Sequence, residues 1–222
     1  MRVRPISTLS LALVLGSVLA ATTPAAAHNR PRSWEFGVFG GEMLFDVPLF
    51  FTAGSHGEYD TLLGTRDTEF FGLRLGYNFT PHWEVEFTHD DASTEDVGFK
   101  NVQRDYVSDH FTVNYNFLTT TERRVYPYLA GGAGRLVSKV TVSSKGDEDS
   151  AIALVLGGGF RLFLNKSVSF RVDGRWKIYS EQHEVADLLP DNNFLDPSLN
   201  IDDQFSHFEI TIGLYGIIGG QR

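Results

Sequence analysis

Two stretches set an imidazole beside a carboxylate, Thr88-His89-Asp90-Asp91 and Asp109-His110, the residue types that general acid–base catalysis uses. Neighbours along an extended chain point to opposite faces, so neither pair is held together by its own strand. No nucleophile with a matching base and orienter can be assigned by spacing, and no GxSxG, HExxH or phosphate loop occurs. The sequence is expected to act without catalysis. A different constellation stands out in residues 169–178, SFRVDGRWKI, where Arg171, Asp173, Arg175 and Lys177 alternate with Phe170, Val172, Gly174, Trp176 and Ile178.

That alternation recurs. One parity collects Phe71, Leu73, Leu75, Tyr77 and Phe79, then Trp83, Val85 and Phe87, then Phe111, Val113, Tyr115 and Phe117, and further on Ile152, Leu154, Leu156 and Ile210. The opposite parity collects Arg74, Glu84, Glu86, Arg161, Arg171, Asp173, Arg175, Lys177 and Glu209. A buried charge is costly unless it is paired and hydrogen-bonded, and here five cations meet four anions. These nine residues read as an ion-pair network filling the lumen of a barrel, with the apolar face turned to lipid. In the stretch VYPYLAGGAGRLVSKV, Arg135 and Lys139 share parity with Leu129, which leaves the facing of that strand open.

The elements that must position these residues are strands. Eight segments show period-two alternation, approximately 34–42, 68–79, 82–90, 106–118, 125–141, 151–164, 168–180 and 206–217. The spacers between them are 25, 2, 15, 6, 9, 3 and 25 residues long, alternately longer and shorter. In an up-and-down barrel, alternate connections share an end, and outer-membrane barrels keep short turns on the periplasmic side. The expected fold is therefore all-β, an eight-stranded antiparallel up-and-down transmembrane β-barrel, whose interior is about wide enough for side chains to fill. Trp34, Phe79, Trp83 and Phe117 fall near the short turns and are expected to form an aromatic girdle at the periplasmic interface. The competing arrangement is a secreted, lipocalin-like barrel that turns the apolar face inward.

Composition narrows the class. The chain has 222 residues, no cysteine, 22 glycines and 18 phenylalanines, which excludes disulfides, thiolate metal sites and a lipid-modified cysteine. Residues 1–27 join Arg2 and Arg4 to an apolar run and an Ala25-Ala26-Ala27 ending, the pattern of a signal peptide. Residues 28–222 are expected to form the barrel, exported to the cell outer membrane.

The phrases FFGLRLGYNFTPHWEVEF, YPYLAGGAG and LGGGFRLFLNKSVSFRVDGRW resemble the OmpA-like family of small outer-membrane β-barrels, the broad outer membrane protein beta-barrel domain group. The resemblance spans residues 28–222. It implies a structural wall component, an adhesin, a surface-recognition protein or a very narrow channel, delivered by the barrel assembly machinery. Wall anchoring through a following peptidoglycan-binding domain is not expected, and the sequence closes on YGIIGGQR where the family typically has a terminal aromatic residue.

Removing the leader takes the net charge from -9 to -11. The longer connections carry -3 (43–67), -2 (91–105), -2 (142–150) and -7 (181–205), while Arg30, Arg32, Arg123, Arg124, Lys166 and Arg222 gather against Glu122 at the opposite rim. An acidic outer rim disfavours nucleic acid. Outer-membrane lipid and lipopolysaccharide are the expected surroundings, with the chain monomeric and no cofactor or metal. Asp147, Glu148 and Asp149, with Asp191, Asp196, Asp202 and Asp203, could bind divalent cations, but no calcium-loop spacing supports this and the residues read as solvated charge. The expected role is structural or surface recognition, with a narrow gated channel as the alternative.

Overall fold

The computed structural model describes residues 30–45, 67–95, 102–117, 125–142, 145–181 and 203–220. Eight strands follow in order: β1 (Ser33–Phe45), β2 (Thr68–Asn78), β3 (Trp83–Glu95), β4 (Val102–Asn116), β5 (Val125–Val142), β6 (Lys145–Phe163), β7 (Val168–Glu181) and β8 (Asp203–Gly219). Each pairs antiparallel with its sequence neighbour, and β8 returns to β1 with Leu214 opposite Val38, closing the barrel. Closure leaves no edge running the length of the wall, which is what lets a sheet cross hydrocarbon with its backbone satisfied.

The tight turns use their own side chains. Thr80 Oγ1 accepts hydrogen bonds from the His82 and Trp83 amides (3.2 and 3.0 Å) between β2 and β3. Asn165 Oδ1 accepts from the Ser167 amide (2.8 Å) between β6 and β7, the local bonding that suits Asn and Thr to turns.

The spacer rhythm read from the sequence needs correction. β3 runs on to Glu95 and β4 begins at Val102, leaving 6 residues between them, while β5 and β6 leave only 2. Glu148 and Asp149 are thus strand residues rather than loop residues. The physical reason is that the hydrogen-bond ladder continues above the apolar wall, where nothing requires alternating hydrophobicity. The long connections that remain follow β1 and β7. Phe79 and Phe117 lie just past the ends of β2 and β4. The leader at 1–27 and the residues Asp191, Asp196 and Asp202 lie outside the described residues, as do Arg123, Arg124 and Arg222.

The inside-out question is answered by exposure. Phe71, Phe111, Phe160 and Ile152 face outward, Ile152 being 80% exposed, whereas Arg161, Arg171, Arg175 and Lys177 are at 0%. The lipocalin-like arrangement is therefore excluded by the side-chain facing itself. On β5, Tyr126, Tyr128, Ala130, Leu136 and Ser138 point inward, so Arg135 and Lys139 stand on the outer wall.

Glycine makes room where the interior is fullest. A Cβ on Gly37 would lie 2.1 Å from the Tyr215 ring, and one on Gly72 would lie 2.3 Å from the Phe39 ring. These two rings lie flat against the wall only because the wall has no side chain there.

Candidate functional site

The lumen is stacked in tiers along the barrel axis. At the end that carries the turns 79–82 and 164–167, Tyr126 packs edge-on against Phe163 (5.2 Å between centroids), with Ile217 beside them. Asn78 joins this end to the charges above by donating Nδ2–H to Glu35 Oε1 (3.0 Å).

Next comes the arginine tier. Arg161 donates to Glu35 Oε1 (2.9 Å) and to Glu84 Oε2 (2.6 Å). Arg171 donates to Glu86 Oε2 (2.5 Å) and to the Tyr128 hydroxyl (2.9 Å), and Arg175 to Glu86 Oε1 (2.6 Å). Arg74 bonds Asp173 and the Tyr215 hydroxyl (2.8 Å), with its Nε 3.8 Å from Glu86. Glu86 therefore meets three guanidinium groups. The cations also stack: Arg171 lies 4.7 Å from both the Tyr128 and Tyr215 ring centres, and Arg74 lies 4.0 Å from that of Phe39. Planar guanidinium suits this double duty of bonding at its edge and stacking on its face.

The lysine tier follows. Lys177 Nζ reaches Asp90 Oδ1 (2.8 Å), Glu209 Oε1 (2.8 Å) and Ser108 Oγ (2.9 Å). His207 Nε2 lies 3.2 Å from Glu209 Oε1 and its Nδ1 3.4 Å from the Tyr179 hydroxyl. His110 Nδ1 lies 3.1 Å from Ser108 Oγ, and its Nε2 3.4 Å from Arg175 Nη1. Above this, Met43, Phe70, Ala92, Tyr106, Leu136, Ala153 and Tyr179 form an apolar cap, with Phe39 reaching down to the arginines.

All nine residues singled out by parity thus point into one interior. Sequence reasoning missed Glu35, His207 and the tyrosines Tyr128 and Tyr215 that accept from arginine, and it weighed Asp90 and His110 only as halves of acid–base pairs and not as lumen residues. With Glu35 and Asp90 included, five fully buried cations face six buried carboxylates among the described residues. An inward parity shared with Arg74 across the β1–β2 ladder, where Gly37 opposes it and Glu35 lies two residues away, was the available signal for Glu35.

The two His–Asp stretches are rearranged. Asp90 and His110 turn inward to the lysine tier, while His89 and Asp109 turn outward and meet across the β3–β4 ladder, with Nδ1 2.7 Å from Oδ1. Both are about half exposed on the outer wall. No group of metal-holding side chains occurs among the described residues.

Outside, Trp34, Phe79, Trp83 and Phe117 are exposed at the turn end of the wall. Tyr77 lies between Trp34 and Phe79 (4.8 Å to each ring centre), and Tyr115 between Trp83 and Phe117 (4.8 and 5.3 Å). The four residues are two cross-strand clusters, each centred on a tyrosine the sequence had placed only on the wall.

The structure is similar to that of Neisserial surface protein A, with a TM-score of 0.55 and 13% identity over 82% of this chain and 96% of that one. It is also similar to OprG of Pseudomonas aeruginosa (TM-score 0.51, 16% identity, 88% and 100% covered). The N-terminal β-barrel domain of Pseudomonas aeruginosa OprF is a third (TM-score 0.50, 12% identity, 85% and 99% covered). No curated protein sequence matches the chain. The model of one family matches residues 11–213. A closed eight-stranded barrel with a charged interior and an apolar wall agrees with that match: the chain belongs to the outer membrane protein beta-barrel domain family and is a protein of the cell outer membrane.

Proposed function

We propose that the protein is a closed, non-catalytic outer-membrane barrel whose lumen is a load of internal ion pairs and whose outer connections serve a structural or surface-recognition role. The observation that carries this reading is the sequence of tiers. Arginines bridged to three glutamates and an aspartate are capped by apolar side chains, so an ion moving along the axis would have to displace both. Breaking such buried pairs costs several kcal/mol each, a barrier out of keeping with steady conduction. The outer connections after β1 and β7, residues 46–67 and 182–202, carry net charges of -3 and -5. They would present an acidic surface to the medium.

A narrow gated channel is the second reading, favoured by the unbroken run of charged groups from Glu35 to Glu209. Planar-bilayer recording separates the two. The closed reading expects silence at neutral pH up to moderate voltages, and a steady open level in the purified protein would overturn it. As for catalysis, the outward His89–Asp109 pair has no nucleophile assigned beside it. Hydrolysis of phospholipid or lipopolysaccharide by the purified barrel would refute the non-catalytic assignment.

A further inference from the structure

The periplasmic rim has a one-sided charge at the seam where β1, β8 and the β6–β7 turn meet. Arg30, Arg32 and Lys166 stand there, and the turns 79–82 and 164–167 contribute no acidic residue. Arg30 is held in place: its Nη2 donates to the Lys166 carbonyl (2.5 Å) and its own carbonyl accepts from Ser33 Oγ (2.6 Å). Gly220, at φ +88°, passes so close that a Cβ would lie 2.8 Å from Arg30 Cβ. The Arg30 Nε is nevertheless buried without a hydrogen-bond partner among the described residues. Arg32 takes a positive φ of 56°, uncommon for a residue with a side chain, while its amide donates to the Asn78 carbonyl (2.6 Å). The backbone thus fixes both arginines at the end of β1. Directly above them on the outer wall stand Trp34 and Ile218, paired across the β1–β8 ladder and exposed at 53% and 71%.

An immobilised guanidinium beside two further cations, with no acidic side chain near it among the described residues, set immediately below lipid-facing aromatic and aliphatic groups, is the arrangement that meets a phosphate at the headgroup level. We infer that Arg30, Arg32 and Lys166 form a binding site for the phosphate of an anionic phospholipid in the periplasmic leaflet. The level favours a lipid over an acidic polymer or a periplasmic protein. The acyl chains of a lipid whose phosphate sits here would run up along Trp34 and Ile218, and neither alternative has a use for that wall. Each basic residue near an anionic surface is worth roughly a fivefold preference at low salt, falling as salt screens it.

The test uses the mature chain with Trp34 as its sole tryptophan (Trp83→Phe, Trp176→Phe), reconstituted in phosphatidylcholine with small fractions of brominated lipid. Brominated phosphatidylglycerol should quench Trp34 at several-fold lower mole fraction than brominated phosphatidylcholine. Arg32→Gln with Lys166→Gln should bring the two lipids to parity, and Lys139→Gln on the opposite half of the wall should leave the preference intact. Heat-modified gel migration of each variant checks that the barrel has closed. Equal quenching by both lipids in the parent protein would overturn the site, as would a preference that survives the double substitution. Equal quenching together with retention of the barrel on isolated cell-wall sacculi would assign the patch to an acidic polymer instead.

Discussion

The two ionic tiers of the lumen solve the same problem with different cations. In the lower tier four arginines share Glu35, Glu84, Glu86 and Asp173, with tyrosine hydroxyls and ring faces filling in. In the upper tier one lysine ammonium gathers Asp90, Glu209 and Ser108 around a point. The lower tier matches four guanidinium groups to four carboxylates, whereas in the upper tier two carboxylates share one ammonium. That matters because a guanidinium cannot shed its proton in a protein, whereas a carboxyl group can accept one. The arginine tier should therefore be brittle and the lysine tier forgiving.

The largest effect is expected at Glu86. Glu86→Ala leaves Arg171 and Arg175 without their shortest ion-pair partner and removes the neighbour of Arg74 Nε, and no proton loss can relieve them. Loss of one partner of a buried pair costs about 3–5 kcal/mol, so urea-induced unfolding in lipid vesicles should shift by that amount. The shift should be nearly the same at pH 5 and pH 8. Lys177→Met should cost as much at pH 8, where two carboxylates are left facing each other. The penalty should shrink by pH 5 as one takes up a proton. Equal pH response in the two variants would erase the distinction between the tiers.

Packing comes next in size. Gly37→Ala places a methyl group inside the volume of the Tyr215 ring, and Tyr215 holds Arg74 and Arg171 from one side. Overfilling of this kind costs typically 1–3 kcal/mol. The same substitution at Gly216, where a Cβ meets only a backbone oxygen at 3.9 Å, should be close to neutral by the same unfolding measurement. A penalty of similar size at both would mean that the glycines serve strand curvature and not the seating of rings.

How much of this was legible in the sequence follows from what period-two alternation encodes. Parity separates two faces wherever one face must be apolar, which is why the eight strands, their antiparallel order and the outward wall could be read from residues such as Phe71, Leu154 and Ile210. Parity fails where that demand lapses. Residues 91–95, 102–105, 142 and 145–150 are strand by hydrogen bonding alone, and their polar composition reads as loop. Alternation also says which side chains share an interior without saying which of them meet. Arg161 reaches Glu35 across 126 residues and Arg74 reaches Asp173 across 99, contacts fixed by barrel closure and register. Asp90 was left out of the lumen set because the neighbouring His89 made it look like half of an acid–base pair. Tyr128 and Tyr215 escaped because an aromatic ring on an apolar strand carries no sequence mark of a hydroxyl aimed at arginine.

The smallest expected effect compares the lumen with the outer wall through two pairs of similar geometry. His89–Asp109 is as short as many of the buried contacts, at 2.7 Å, yet both side chains are about half exposed. An exposed pair is worth about 0–1 kcal/mol because water already solvates both partners. A double-mutant cycle on His89→Ala and Asp109→Ala should therefore return a coupling below about 1 kcal/mol, whereas the same cycle on Arg161→Ala and Glu84→Ala should exceed it severalfold. If the outer pair proved as strongly coupled as the inner one, the outer wall at that height would have to be as dry as the lumen. The apolar belt would then reach above Asp109, and the three rows of polar residues from His89 to Ser93 would lie within the membrane rather than above it.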